Sequence, residues 1–240
     1  MRIVRYQSGD EAPRYGWLHE NKIGDIEGDL FGKYQRQEAN ILLTDVKLLA
    51  PAVPSKIVCV GRNYVEHAKE LGNNVPKIPL LFMKPPSSII NPGDTIILPP
   101  QSKQVEHEAE LVAVIGKRAR NVTAEDAKNY IFGYTVGNDV TARDLQNKDG
   151  QWTRAKGFDT FCPVGPIVSD ELDPAAGLTL ETRVNGELRQ RGSTLDFIFP
   201  IPKLLAWITA IFKAATGASN FANKATAQVA RTTAVTPSAG

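Results

Sequence analysis

Three acids spaced two residues apart run straight into an apolar block in Glu106-His-Glu-Ala-Glu-Leu-Val-Ala-Val-Ile115. Side chains alternate across a strand, so an extended chain here puts Glu106, Glu108 and Glu110 on one face and His107 and Ala109 on the other. The block Leu111 to Ile115 demands burial, so the strand enters a core and takes its carboxylates with it. Clustered carboxylates near a core need compensating charge to stay ionised. A divalent cation is one compensation, and an all-oxygen ligand set selects Mg2+, Mn2+ or Ca2+ over zinc. An exposed edge strand with a solvated acidic face is the other reading of the same spacing.

A second acid stands in similar surroundings. Asp139 closes the run Tyr134-Thr-Val-Gly-Asn-Asp139, and Arg143 and Gln146 follow, three apart. Two carboxylates from one strand and one from another would leave open positions on an octahedral ion for water or substrate. Lys156, in Thr153-Arg-Ala-Lys-Gly-Phe-Asp-Thr160, is a third candidate, although a solvated lysine is the ordinary reading of such a loop.

Along the chain, short apolar runs alternate with turn residues. Arg2 to Tyr6 and Tyr15 to His19 predict a small N-terminal β domain over residues 1–50, and Pro51 to Pro54 a linker. Strands are expected at Lys56 to Val60, Pro79 to Met83, Ile96 to Leu98, Glu108 to Ile115 and Phe132 to Asp139. Asn185-Gly186 between two extended runs is a hairpin signal. Helices are expected over Tyr64 to Leu71, Thr123 to Tyr130 and Pro202 to Phe212. Regular strand–helix alternation is missing, which argues for a β-rich mixed fold over a doubly wound one. Residues 51–212 form the core domain in this reading. Residues 213–240 are rich in Ala and Thr and hold no acid, and they read as a weakly structured terminus.

Composition narrows the partners. Lys plus Arg number 28 and Asp plus Glu 26, a net charge of +2, which offers no field for nucleic acid or for an anionic membrane. No apolar run reaches the roughly 18–20 residues of a membrane span, and the N-terminus has no secretory pattern. The two cysteines, Cys59 and Cys162, are too far apart in sequence for a disulfide framework or a metal knuckle. A cytoplasmic location is expected.

Taken in order, several stretches together resemble the fumarylacetoacetate hydrolase family. They are Val60-Gly-Arg-Asn-Tyr-Val-Glu-His67, Leu81-Phe-Met-Lys-Pro85, His107-Glu-Ala-Glu-Leu111, Gly133 to Gln146, Ala155-Lys-Gly-Phe-Asp-Thr160, Val184-Asn-Gly-Glu187 and Phe199-Pro-Ile-Pro202. The resemblance runs from about Lys56 to Phe212. It implies an α+β, β-rich fold, the family's mixed β-sandwich roll with a small N-terminal domain, and a homodimer. It implies a Mg2+ or Mn2+ site on Glu108, Glu110 and Asp139, with Ca2+ as a substitute, and leaves Glu106 at the rim. His67 and Glu70 match a lid-helix pair that positions water, and Lys156 completes the implied catalytic set. Arg62, Tyr64, Arg143, Gln146 and Thr160 match positions around a small oxo-acid substrate. Where the family continues past the last helix with a Thr-Gly-Thr-Pro loop, this chain has Phe212-Lys-Ala-Ala-Thr-Gly-Ala-Ser.

The implied chemistry is cleavage of a C–C bond in acylpyruvate- or fumarylpyruvate-type oxo acids through a metal-stabilised enolate. Oxaloacetate decarboxylation or tautomerisation, and isomerisation of a hydroxy-dienoate, pass through the same enolate. A catalytically impaired homologue that only binds oxo acids is the reading of another class.

Overall fold

The computed structural model describes residues 1–64 and 76–214, and the backbone alone of 220–225. The first five strands are β1 (Arg2–Gln7), β2 (Arg14–His19), β3 (Lys22–Gly28), β4 (Tyr34–Leu42) and β5 (Lys47–Leu49). There follow β6 (Lys56–Gly61), β7 (Leu80–Lys84), β8 (Ile89–Ile90), β9 (Val105–Glu106), β10 (Ala109–Ile115), β11 (Ile131–Asn138) and β12 (Thr141–Ala142). Two short helices, α1 (Arg143–Asp149) and α2 (Thr153–Gly157), lead to β13 (Cys162–Pro163) and β14 (Ile167–Ser169). The hairpin β15 (Thr179–Val184) and β16 (Glu187–Ser193), helix α3 (Ile201–Ile211) and β17 (Asn220–Ala225) complete the order.

Eleven strands make one sheet in the order β4-β3-β2-β1-β14-β11-β10-β17-β6-β7, with β5 pairing β1. The fold is α+β and β-rich, as the strand-dominated pattern implies. β1 carries the N-terminal strands into the common sheet, pairing antiparallel with β14 at Ile3↔Val168. Helix α3 covers one part of the sheet. Leu204, Leu205 and Ile208 pack there with Val58, Val60 and Ile115 in one buried cluster. No helix among the described residues is long and apolar enough to cross a membrane.

Four local expectations are corrected. The acidic run is not one strand. β9 ends at Glu106, which pairs with Thr141, and β10 starts at Ala109, which pairs with Asn138. The break at His107-Glu108 swings Glu106 towards β12 and α1, whereas Glu110 stays in the buried ladder. Second, Thr123 to Tyr130 is not an α-helix. The Thr123 hydroxyl does accept from the Asp126 N–H at 3.2 Å, but only a 3-10 turn follows, at Ala127–Tyr130. Four residues then remain before β11 must begin, too few to repay helix nucleation. Third, Ile96 to Leu98 forms no strand. Ile96 is buried beside Phe161, and the Ile97 N–H donates to Thr160 Oγ1 at 2.9 Å. Fourth, part of the Ala/Thr-rich terminus is ordered into the sheet. β17 runs parallel to β6 and antiparallel to β10. Backbone groups on the facing edges of β6 and β10 need partners, and almost any sequence without proline can supply them.

The Asn185-Gly186 turn is as the sequence predicts. Both residues have positive φ, 53° and 85°, which a type I′ turn requires.

Candidate active site

The site forms where β10, the end of β11 and helix α2 meet. Burial deepens along the acidic run. The side chain of Glu106 is 40% exposed and that of Glu108 12%, and Glu110 is 4% exposed as a residue. A solvated acidic face is thereby excluded. Glu108, Glu110 and Asp139 each place a carboxylate oxygen within 4.8 Å of the other two. Backbone pairing brings this about. The Asp139 N–H donates to the Glu108 carbonyl at 2.7 Å, and the Glu108 N–H donates to Asn138 Oδ1 at 2.9 Å. The ends of two antiparallel strands are thus pinned together just where the acids lie.

Lysines meet these acids. Lys156 Nζ donates to Glu108 Oε2 at 2.9 Å and to Asp139 Oδ2. Lys84 Nζ donates to Asp139 Oδ1 at 2.6 Å. Both lysines are 1% exposed. Part of the compensation that the sequence assigned to a cation therefore comes from the chain itself. Two ammonium groups against three carboxylates still leave one net negative charge. The donor set is all oxygen and comes from the adjoining ends of β10 and β11, which fits a hard divalent cation. A dication there would turn the site to one net positive charge, the right sign for an anionic acid. Behind Glu110, Asp139 and Lys84 lies a void of about 30 Å3, room for a small ion or water and not for an organic substrate.

Arg143 forms the outer wall. Its Nε donates to Glu106 Oε2 at 2.8 Å, Nη1 to Gln146 Oε1 at 2.5 Å and Nη2 to Glu108 Oε1 at 2.7 Å. Burial works to lower the pKa of Arg143, but the Glu108 charge and the hydrogen bonds to Glu106 and Glu108 outweigh it and raise it further. Burial likewise works to raise Glu106, and the hydrogen bonds from Arg143 and Gln104 hold it below the usual glutamate value. Helix α1 is placed by Asp144, which accepts from Ser102 Oγ at 2.6 Å and from the Lys103 N–H at 3.0 Å. Leu145 and Ala155 anchor α1 and α2 in one buried cluster with Phe161 and Val140. Lys156 Nζ also lies 5.2 Å from the centre of the Phe82 ring, which is packed edge-on against Trp152.

The structure thus brings together Glu108, Glu110, Asp139, Lys156, Arg143 and Gln146. Thr160 turns elsewhere, its hydroxyl accepting from the Ile97 N–H. It holds a left-handed φ of 68°, rare for a β-branched residue and of a kind that clusters at functional positions. Arg62 is exposed at a left-handed φ of 58°, just after β6. Tyr64 is buried, its ring against Phe197 at 5.0 Å. His67 and Glu70 lie outside the described residues. Sequence reasoning passed over Lys84, which the motif Leu81-Phe-Met-Lys-Pro85 contains. A lysine closing an apolar strand just before Pro85-Pro86 was the available signal, because a buried ammonium must have partners.

Residues 56–218 match the Fumarylacetoacetate (FAA) hydrolase C-terminal family, and residues 1–51 match the Rv2993c-like N-terminal family. The chain belongs to the fumarylacetoacetate hydrolase family. An uncharacterized protein of Methanocaldococcus jannaschii, MJ1656, is 52% identical over 158 residues, 66% of either chain, so the match spans just under two thirds of that relative. The oxaloacetate tautomerase fahd2, mitochondrial, of Xenopus laevis is 45% identical over 236 residues, 86% of this chain and 74% of its own. Among solved structures, the 5-carboxymethyl-2-hydroxymuconate delta-isomerase of Mycobacterium smegmatis superposes with a TM-score of 0.84 at 39% identity. That match covers 94% of this chain and 88% of the isomerase. Two of these three relatives carry enzyme names, a tautomerase and an isomerase.

Proposed function

We propose that this protein interconverts tautomers or double-bond isomers of small 2-oxo acids, oxaloacetate above all, with Mg2+ or Mn2+ held by Glu108, Glu110 and Asp139. The observation that carries the reading is Lys156, a proton-bearing group hydrogen-bonded to two of three converging carboxylates in a dry setting. The tautomerase and isomerase names of its relatives support it. Tautomerisation needs proton movement alone. A C–H bond next to the carbonyl breaks, its electron pair becomes the C=C bond, and the carbonyl oxygen takes up a proton. A bound divalent cation would supply positive charge for the developing enolate oxygen. Within the chain, Lys156, fixed by Glu108 and Asp139, holds a proton at Nζ for that oxygen, and a water carries off the carbon-bound proton. Arg143, fixed by Glu106, Glu108 and Gln146, keeps N–H groups to spare for a substrate carboxylate.

Hydrolysis of acylpyruvates is the second reading, and the spacing of His67 and Glu70 in the sequence favours it, since a base beside a water is what that reaction adds. Enolic oxaloacetate and acetylpyruvate, each assayed with Mg2+, separate the two. Loss of the enol absorbance well above the spontaneous rate, with acetylpyruvate left intact, is the expected result. Rapid acetylpyruvate cleavage without acceleration of the enol–keto step would reverse the assignment.

A further inference from the structure

Lys84, the last residue of β7, has no part in the chemistry above. It is 1% exposed. Its ammonium donates to Asp139 Oδ1 at 2.6 Å, to the Val140 carbonyl at 3.3 Å and to the Lys156 carbonyl. An ammonium has three donors, and three protein acceptors take them all, so none is left for a substrate. Lys84 therefore acts through its neighbours.

Those neighbours are the proposed metal ligand that ends β11 and the proposed proton carrier on α2. Asp139 has already left the β11 ladder, and nothing in the strand pairing fixes its side-chain torsions. Lys84 on Oδ1 and Lys156 on Oδ2 fix both oxygens. Helix α2 is five residues long, too short to hold itself, so the bond from Lys84 to the Lys156 carbonyl supports it from outside. We propose that Lys84 is a positioning residue that joins Asp139 and Lys156 into one rigid unit and thereby sets the affinity of the carboxylate triad for a divalent cation. The proposal rests on the metal-site reading above.

The sign of the effect separates orientation from charge. Deleting a cation beside the triad would by itself tighten the binding of a positive ion. Deleting an orienting partner behind a ligand weakens it, by about 10–100-fold in metal sites generally. Mn2+ binding to the full chain is measured by titration calorimetry, for the wild type, Lys84→Met, Lys84→Gln and Glu110→Gln, each checked for a cooperative melt. The expected order of affinity is wild type, then Lys84→Gln, which keeps an amide donor, then Lys84→Met at least about 10-fold below wild type, with Glu110→Gln losing binding. If Lys84→Met does not fold, Lys84→Gln alone must show the weakening. Folded Lys84 variants that bind Mn2+ as tightly as wild type, or more tightly, overturn the positioning role while the metal site stands, and a merely lower melting temperature does not rescue it. A wild type that binds no Mn2+, or a Glu110→Gln that binds it normally, removes the metal site and this proposal with it.

Discussion

Replacing Lys156 by Met deletes one positive charge from a buried cluster and leaves a side chain of similar length against Phe82. The net charge of the Glu108–Glu110–Asp139–Lys84–Lys156 group goes from one negative to two. Breaking a buried ion pair by removing one partner costs about 3–5 kcal/mol. In a chain of this size 1 kcal/mol corresponds to about 2–4 °C of melting temperature, so the melt in EDTA should fall by roughly 6–20 °C. A divalent cation that binds only the native state adds about 2.7 kcal/mol at 100 times its dissociation constant, or roughly 5–11 °C. The variant site is more negative, but it has also lost the bonds that orient Glu108 and Asp139, so, as for Lys84, it should gain less from equal Mg2+ than the wild type does. Differential scanning calorimetry in EDTA and over a Mg2+ series tests both numbers. A variant that melts in EDTA within about 2 °C of wild type would show that the Lys156 contacts carry little energy. A variant that gains more from Mg2+ than the wild type would show that charge outweighs orientation at this cluster. The tautomerase rate should fall by about 10²–10⁴-fold, the usual cost of losing an acid–base group.

The remaining predictions address other layers. Leu204→Ala, at a fully buried position between α3 and the sheet, should cost about 2–5 kcal/mol by urea denaturation, and a smaller loss would mean that the cluster collapses around the cavity. Glu106 has its carboxyl held below the unfolded value, so its contribution is fully present above pH of about 4.5 and disappears as pH falls through the folded value. Urea midpoints of wild type and Glu106→Gln should therefore differ at neutral pH and converge in acid, and a constant gap would contradict the Arg143 pairing. Thr160→Gly relieves a left-handed β-branched residue but loses the acceptor for the Ile97 N–H, so stability should stay within about 1–2 kcal/mol. A raised KM for oxaloacetate in that variant would place Thr160 at the substrate, and an unchanged KM would make its geometry purely structural.

The fold class, the hairpin at Asn185-Gly186 and the burial of the strand from Leu111 to Ile115 were legible in the sequence. Each depends on a local rule: positive φ at a turn, or an unbroken apolar run of strand length. Candidate acids were legible too as a cluster beside an apolar run, although only Glu110 lies in β10 and Glu108 sits in the break before it. Tertiary structure alone decided what those acids meet. Lys84 lies 55 residues from Asp139, and Lys156 lies 48 from Glu108, separations over which no sequence period operates. The same holds for the break that parts Glu106 from Glu108, since it depends on β9 finding β12 while β10 finds β11. Even the Ala/Thr-rich terminus follows this division, because its composition is silent about structure and the open backbone between β6 and β10 makes a strand of it. Local patterns state which side chains share a face, whereas the identity of their partners is fixed by strand pairing between distant parts of the chain, and a buried charge takes its character from those partners.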